Sequence, residues 1–330
     1  MLDGRVAIVT GAGRGLGRAY ARALAAADAA VVVNDLDADV AAETVDAITT
    51  AGGAAVAQVG AVGSSEFADA LVERAVTEFG HLDVMITNAG ALRDKTLRNV
   101  TDEDFDVVVT SHLRGTFTCG RAAAACFREQ GGGGRLILVG SPAGRRATFG
   151  QTAYSAAKGA IVALTRTWAV ELGKIDVTVN AVVPTALTRM VATMPRIGDV
   201  GAKVDAGEPV PEGARRQGLG SPDDVAPVIV YLASKESGHV TGQVIAAGGD
   251  RIALWTASRR GVRTAPPRRL ERRVGERTVR RRVRAAVAGL QARPARPRCH
   301  RRHPTCAPHG AVPRTPVCSR HDRTVAGLTA

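Results

Sequence analysis

The stretch RVAIVTGAGRGLGRA, from Arg5 to Ala19, decides the fold. It runs from a short β-branched segment through a glycine-rich turn into an alanine-containing segment that reads as helix. Gly11, Gly15 and Gly17 permit a tight turn and close backbone approach, and the unpaired N–H groups at the start of a helix attract an anion. A purely structural turn would use similar residues, so the setting carries the argument: strand, turn and helix follow one another directly. The turn residues Gly11, Arg14, Gly15, Leu16 and Gly17 are therefore candidates to bind a nucleotide phosphate.

The rest of the first 258 residues repeats this alternation. Apolar runs at Arg5–Thr10, Ala30–Asn34, Asp83–Thr87, Arg135–Gly140, Val177–Val183 and Gln243–Ala247 read as strands, with a weaker one at Ala55–Val59. Such near-continuous apolar runs suit strands covered on both faces. Helical segments are expected at Gly15–Asp28, Ala38–Ala51, Ser65–Phe79, Asp102–Gln130, Thr152–Gly173 and Pro222–Ala233. Ser221 caps the last of these, with Pro222 in the first turn and Asp223 and Asp224 at the positive end of its dipole. The alternation predicts an α/β fold: a Rossmann-type, doubly wound parallel sheet of about seven strands with helices on both faces. Ligands of such sheets bind beyond the carboxyl ends of the strands.

Asp35 follows the second strand, 18 positions after Gly17. This is near the spacing of an acid that accepts both hydroxyls of an adenosine ribose, and its charge would repel a 2′-phosphate. The expected cofactor is NAD, with NADP as the alternative because Arg14 could reach a phosphate. A simple turn residue is the other reading of Asp35.

The segment TAYSAAKGAI (Thr152–Ile161) places Tyr154 and Lys158 four apart on one helical face. An isolated pair of this kind would be an ordinary surface contact. A nearby ammonium, however, lowers the pKa of a phenol from about 10 toward working pH, which would suit Tyr154 to move a proton.

Composition divides the chain in two. Residues 259–330 hold 20 of the 44 basic residues and three of the 31 acids, so this segment carries +17 and the first 258 residues −4. The tail holds eight of the 15 prolines and lacks Ile, Phe, Tyr, Trp, Met, Asn and Lys. It can bury little apolar surface and is expected to be disordered by itself. The absent residue types are those with AT-rich codons, which suggests an out-of-frame translation of GC-rich DNA. The two expected regions are thus 1–258, catalytic, and 259–330, an Arg/Pro-rich tail. Arginine runs such as RTVRRRVR (Arg277–Arg284) could contact phosphates, but there is no aromatic to stack on bases. The Cys and His residues between Cys299 and His321 match no tight paired-ligand spacing, so no metal is expected. Cys119 and Cys126 read as small apolar helix residues. With neither a leader peptide nor a membrane-length apolar run, a cytoplasmic location is expected.

Five motifs in order, TGAGRGLG (Thr10–Gly17), NAG (Asn88–Gly90), GSPAG (Gly140–Gly144), YSAAK (Tyr154–Lys158) and VPTALT (Val183–Thr188), resemble the short-chain dehydrogenase/reductase family. The resemblance implies hydride transfer between a nicotinamide cofactor and a secondary alcohol or ketone. It implies Tyr154 as acid/base, Lys158 as its partner and ribose contact, and Ser141 as the hydroxyl that orients the substrate. Asn88, Ala89 and Gly90 would line the cofactor site, and Thr188 would lie near the carboxamide and phosphates. The family commonly has Asn where this chain has His112, which could stand in for it or be a buried structural imidazole. It also commonly has Asp where this chain has Ala61, which suggests weaker adenine affinity.

The stretch from Leu92 to Phe117, with its histidine, and the stretch GGDRIALW (Gly248–Trp255) are similar to the subgroup that contains the dehydrogenase portion of peroxisomal multifunctional enzyme type 2 and its bacterial relatives. That likeness implies a 3-hydroxyacyl or 3-oxoacyl thioester as substrate, with a steroid, polyketide or other secondary alcohol as the alternative. Two other classes are a nucleotide-binding protein without turnover and a nucleic-acid binder acting through its tail. Specificity is expected in Leu187–Gly220, read as a mobile lid. The family resemblance also implies a homo-oligomer, a tetramer or dimer built through the helical regions Asp102–Gln130 and Thr152–Gly173. No membrane partner is expected.

Overall fold

The computed structural model describes residues 1–188, 204 and 208–256. The tail from 259, its Cys and His residues, and most of the expected lid lie outside these.

Eight strands form one sheet in the order β3-β2-β1-β4-β5-β6-β7-β8. They are β1 (Val6–Thr10), β2 (Ala30–Asp35), β3 (Ala54–Val59), β4 (Val84–Thr87), β5 (Gly134–Val139), β6 (Val177–Pro184), β7 (Val244–Gly248) and β8 (Arg251–Leu254). All neighbours pair in parallel except β7 and β8. The helices are α1 (Gly15–Ala26), α2 (Ala38–Thr50), α3 (Ser65–Phe79), α4 (Asp102–Val109), α5 (Gly115–Gln130), α6 (Thr152–Glu171), α7 (Glu212–Arg216) and α8 (Pro222–Ala233).

The seven expected strands are present, and β8 is an eighth. Arg251–Leu254 is only four residues long and opens on an exposed arginine, so its apolar part is too short to read as a strand by itself; its antiparallel pairing to β7 defines it. The single helix expected over Asp102–Gln130 is interrupted. Residues Thr110–Arg114 form a π-helical turn between α4 and α5, an insertion common at functional sites. The short α7 was not anticipated.

The central strands are apolar because both faces are covered. One core layer packs Tyr20 and Leu24 of α1 and Val228 and Ile229 of α8 against Val9, Val31 and Ile137. The other packs Leu71 of α3, Phe127 of α5 and Ile161 of α6 against Ile8, Met85 and Leu136. The strand order reverses at the junction of β1 and β4, which opens a crevice beyond their carboxyl ends. Thr10 and Asn88 seam this crevice. The Asn88 side-chain amide donates to Thr10 O at 2.9 Å and Gly11 O at 3.0 Å, and the Asn88 N–H donates to Thr10 Oγ1 at 2.9 Å. Cys119 is fully buried on α5, whereas Cys126 is half-buried and donates to Gln130 Oε1.

Candidate active site

A cleft of about 400 Å³ lies at this switch point. Every cofactor and catalytic candidate read from the sequence lines it except Ser141. Ser141 stands two residues after β5, buried, with its Oγ accepting the Ala143 N–H at 3.2 Å, and it is close enough to Tyr154 to lower the pKa of the phenol.

The glycine-rich turn forms one wall. Gly11 and Gly15 have φ of +61° and +53°, a region open to glycine. A Cβ on Gly17 would lie 2.0 Å from Gly11 O, so the first turn of α1 seats directly on the strand end. A Cβ on Gly15 would meet only Thr188 Cγ2, at 3.9 Å. The space above Gly15 is therefore free for a ligand, at the positive end of a 12-residue helix. These residues fit a dinucleotide phosphate.

At the adenosine end, Asp35 Oδ2 accepts the Gly13 N–H at 2.9 Å and Oδ1 accepts the Asp37 N–H at 3.2 Å. Both leave the carboxylate with unused lone pairs on the cleft wall. Arg14 Nη2 is 3.0 Å from Asp37 Oδ2. The cation that spoke for a 2′-phosphate is thus engaged by an acid. Ala61 lines the cleft beside Gly60 and Val62 and offers the ligand no side-chain acceptor.

The catalytic candidates gather at the other end. Tyr154 is the third residue of α6, and Lys158 lies one turn further on. Lys158 is 3 % exposed, and its Nζ donates to Val139 O at 2.7 Å. Burial lowers its pKa from 10.5 to about 7. Tyr154 is moved the other way. Burial raises its pKa, the Ser141 hydrogen bond lowers it, and the charge of Asp94 raises it.

This corrects the expectation that the ammonium brings the phenol down. Lys158 Nζ lies 5.7 Å from the Tyr154 ring centroid and bonds to a backbone carbonyl. With a pKa of about 7, Lys158 is itself charged only part of the time at neutral pH. Desolvation therefore outweighs attraction for both groups.

His112 sits in the π-helical turn, 2 % exposed, with its ring edge-on to Tyr154 at a centroid distance of 5.0 Å. Its Nε2 lies 3.0 Å from Ala91 O, and a carbonyl can only accept, so Nε2 carries the proton. Burial and the Lys158 charge hold its pKa well below 6.5. The neutral ring then presents Nδ1 as an acceptor, and Nδ1 is buried without a protein donor. A Cβ on residue 90 would lie 1.8 Å from the imidazole Cε1, so Gly90 makes room for the ring.

Sequence reasoning missed Ser111, Asp94, Gln151 and the Val139 carbonyl. Ser111 lines the cleft, and its Oγ accepts the Ala91 N–H at 3.3 Å. No residue-type signal distinguishes these positions, because burial and non-local contact give them their parts. Among the described residues, no cluster of His, Cys, Asp or Glu could hold a metal, and no helix is long and apolar enough to cross a membrane.

Residues 11–249 match the family described as Enoyl-(Acyl carrier protein) reductase. The chain is 41 % identical over 265 residues to hydroxyacyl-CoA dehydrogenase ChsB1 of Mycobacterium tuberculosis, covering 77 % of this chain and 80 % of that one. It is 41 % identical over 201 residues to peroxisomal multifunctional enzyme type 2 of Mus musculus, covering 58 % of this chain and 27 % of that much longer one. A solved 7α-hydroxysteroid dehydrogenase, complexed with NADH and 7-oxo glycochenodeoxycholic acid, matches with TM-score 0.66 and 29 % identity over 75 % of this chain and 94 % of that one.

Proposed function

The chain belongs to the short-chain dehydrogenase/reductase family, whose members here include dehydrogenases of CH–OH groups, and from that premise we propose that it is an NAD-dependent dehydrogenase of 3-hydroxyacyl thioesters. The observation that carries the reading is the convergence of Ser141, Tyr154 and Lys158 at one end of a cleft whose other end is a phosphate cradle.

A bound nicotinamide dinucleotide supplies the hydride acceptor for oxidation, or the donor for reduction. The residues of the chain handle the proton and the oxygen. In oxidation Tyr154 Oη takes the proton of the alcohol hydroxyl, and in reduction it returns one to the carbonyl oxygen. The Ser141 hydroxyl donates to the same oxygen and stabilises the charge that develops on it. Lys158, held by Val139 O one helical turn from the phenol, donates to a hydroxyl of the cofactor ribose. His112 Nδ1, an acceptor without a protein donor, takes a hydrogen bond in the chain that returns the proton to solvent.

The thioester reading rests on the relatives named for hydroxyacyl-CoA and multifunctional peroxisomal activity. A steroid alcohol is the second reading, favoured by the hydroxysteroid dehydrogenase. Assays of cofactor reduction with 3-hydroxyacyl-CoA and hydroxysteroid panels test this. Turnover confined to steroids would replace the thioester assignment, and turnover of neither would remove both. A homo-oligomer forms part of the proposal, supported by the exposed Phe105, Phe117 and Val170 on α4, α5 and α6. A monomer in sedimentation would count against it.

Asp35 gives the cofactor preference a direct test. Asp35→Asn keeps an oxygen for the Gly13 N–H and removes the charge that repels a 2′-phosphate. The ratio of kcat/KM for NAD over NADP is expected to fall about tenfold or more, since a charged hydrogen bond contributes roughly 1.5–3 kcal/mol. An unchanged ratio takes Asp35 out of this role.

A further inference from the structure

One acid near the reacting end has no part in the chemistry above. Asp94 lies in the loop that follows β4, and its Oδ2 accepts from Gln151 Nε2 at 2.9 Å. Gln151 is the residue immediately before α6, and its side chain is buried. Its carbonyl accepts the Ser155 N–H at 2.8 Å, the first backbone bond of the helix that bears Tyr154.

The neighbouring contacts make this a strap. The Lys95 N–H donates to Gly150 O at 2.9 Å, and Lys95 pairs with Gln151 as an isolated parallel bridge. Lys95 Nζ reaches Asp104 Oδ2 at 2.6 Å, and Asp104 closes the capping box of α4 with Thr101. Three residues before Asp94, Ala91 O holds His112. The loop therefore joins the turn carrying His112, the start of α4 and the start of α6.

We propose that Asp94 is a positioning residue for the reaction: through Gln151 it fixes the first turn of α6, and with that turn the place of the Tyr154 hydroxyl. This rests on the assignment of Tyr154 as the proton carrier. Asp94 has a second consequence through its charge. The groups around Tyr154 are Lys158 on its own helix, His112 from the π-helical turn and Ser141 after β5, while Asp94, bonded to Gln151 at the start of the same helix, acts on it through charge. His112 is neutral, Ser141 is a hydroxyl, and Lys158 is positive or neutral. Asp94 is thus the anion of this group, and it opposes the phenolate. Its side chain is exposed, so water and salt screen the effect and keep it modest.

Three variants separate position from charge. Asp94→Asn keeps an oxygen for Gln151 and removes the charge, whereas Asp94→Ala and Gln151→Ala break the strap. In the two alanine variants kcat is expected to fall about tenfold, with KM within about twofold, because a misplaced proton carrier costs rate more than binding. Asp94→Asn recovers most of that kcat. Its profile of kcat/KM for oxidation rises at lower pH, by about half a unit, because loss of the anion favours the phenolate.

The phenolate absorbance of the whole protein gives a readout that needs no turnover. The chain has three tyrosines, and Tyr20 and Tyr231 are buried in the core. The first phenol to titrate should vanish in Tyr154→Phe and move to lower pH in both Asp94 variants. An unmoved phenol titration in Asp94→Asn overturns the charge effect. Equal kcat in Asp94→Ala and the parent protein overturns the positioning role, as does equal loss in the Asn and Ala variants. Retained turnover in Tyr154→Phe strikes instead at the assignment of Tyr154, and so tells the two failures apart.

Discussion

Tyr154→Phe is expected to lower kcat by about 10²- to 10⁴-fold, the span usual for a positioned general acid or base, while cofactor affinity stays within about twofold. Phenylalanine retains the ring, so the edge-on contact with His112 at 5.0 Å survives. Only the hydroxyl is lost, together with its interaction with Ser141. That hydroxyl belongs to the reacting end of the cleft, whereas the glycine-rich turn and Asp35 lie at the other. Steady-state kinetics paired with a cofactor titration checks the split. Near-normal turnover in the variant would end the role of Tyr154, and a parallel loss of cofactor binding would make the substitution structural.

Gly17→Ala is expected to raise the dissociation constant for the nicotinamide dinucleotide about a hundredfold or more and to lower the melting temperature. The added methyl would lie 2.0 Å from Gly11 O and 2.6 Å from Asn88 Nδ2, two atoms that are bonded to each other at 3.0 Å. Neither can retreat: Gly11 is the strand-to-turn hinge, and Asn88 ties β4 to β1. Overpacking typically costs 1–3 kcal/mol, and relief here requires α1 to move away from the strand end where the proposed phosphate cradle lies. Gly173→Ala, with nothing within 4 Å of the added carbon, serves as the control and should change neither quantity. Unaltered cofactor affinity in Gly17→Ala would mean that this turn does not cradle the phosphates.

The helical breaks show how far local pattern reaches. Asp102–Gln130 reads as one helix because helix propensity and apolar spacing continue through it. The π-helical turn at Thr110–Arg114 is imposed by surroundings distant in sequence. Ala91 O holds the His112 imidazole, and the Gly90 backbone leaves the ring its space. Arg251–Leu254 is likewise too short to read alone, and becomes a strand because the β7 edge offers it unpaired backbone groups.

The sequence by itself determined the parallel sheet, the glycine turn at its switch point, and the one-turn spacing of Tyr154 and Lys158. Each of these is written in residues that are neighbours along the chain, where strand period, helix period and glycine freedom act directly. Only the tertiary structure decided the electrostatics of the site. Burial places the Lys158 pKa near 7 and raises that of Tyr154, and Asp94, 60 positions before Tyr154 in the chain, is brought to Gln151 at the start of α6, where its charge opposes the phenolate. The physical reason is that desolvation and Coulomb interaction depend on what surrounds a group in space, and the packing of the whole chain sets those surroundings.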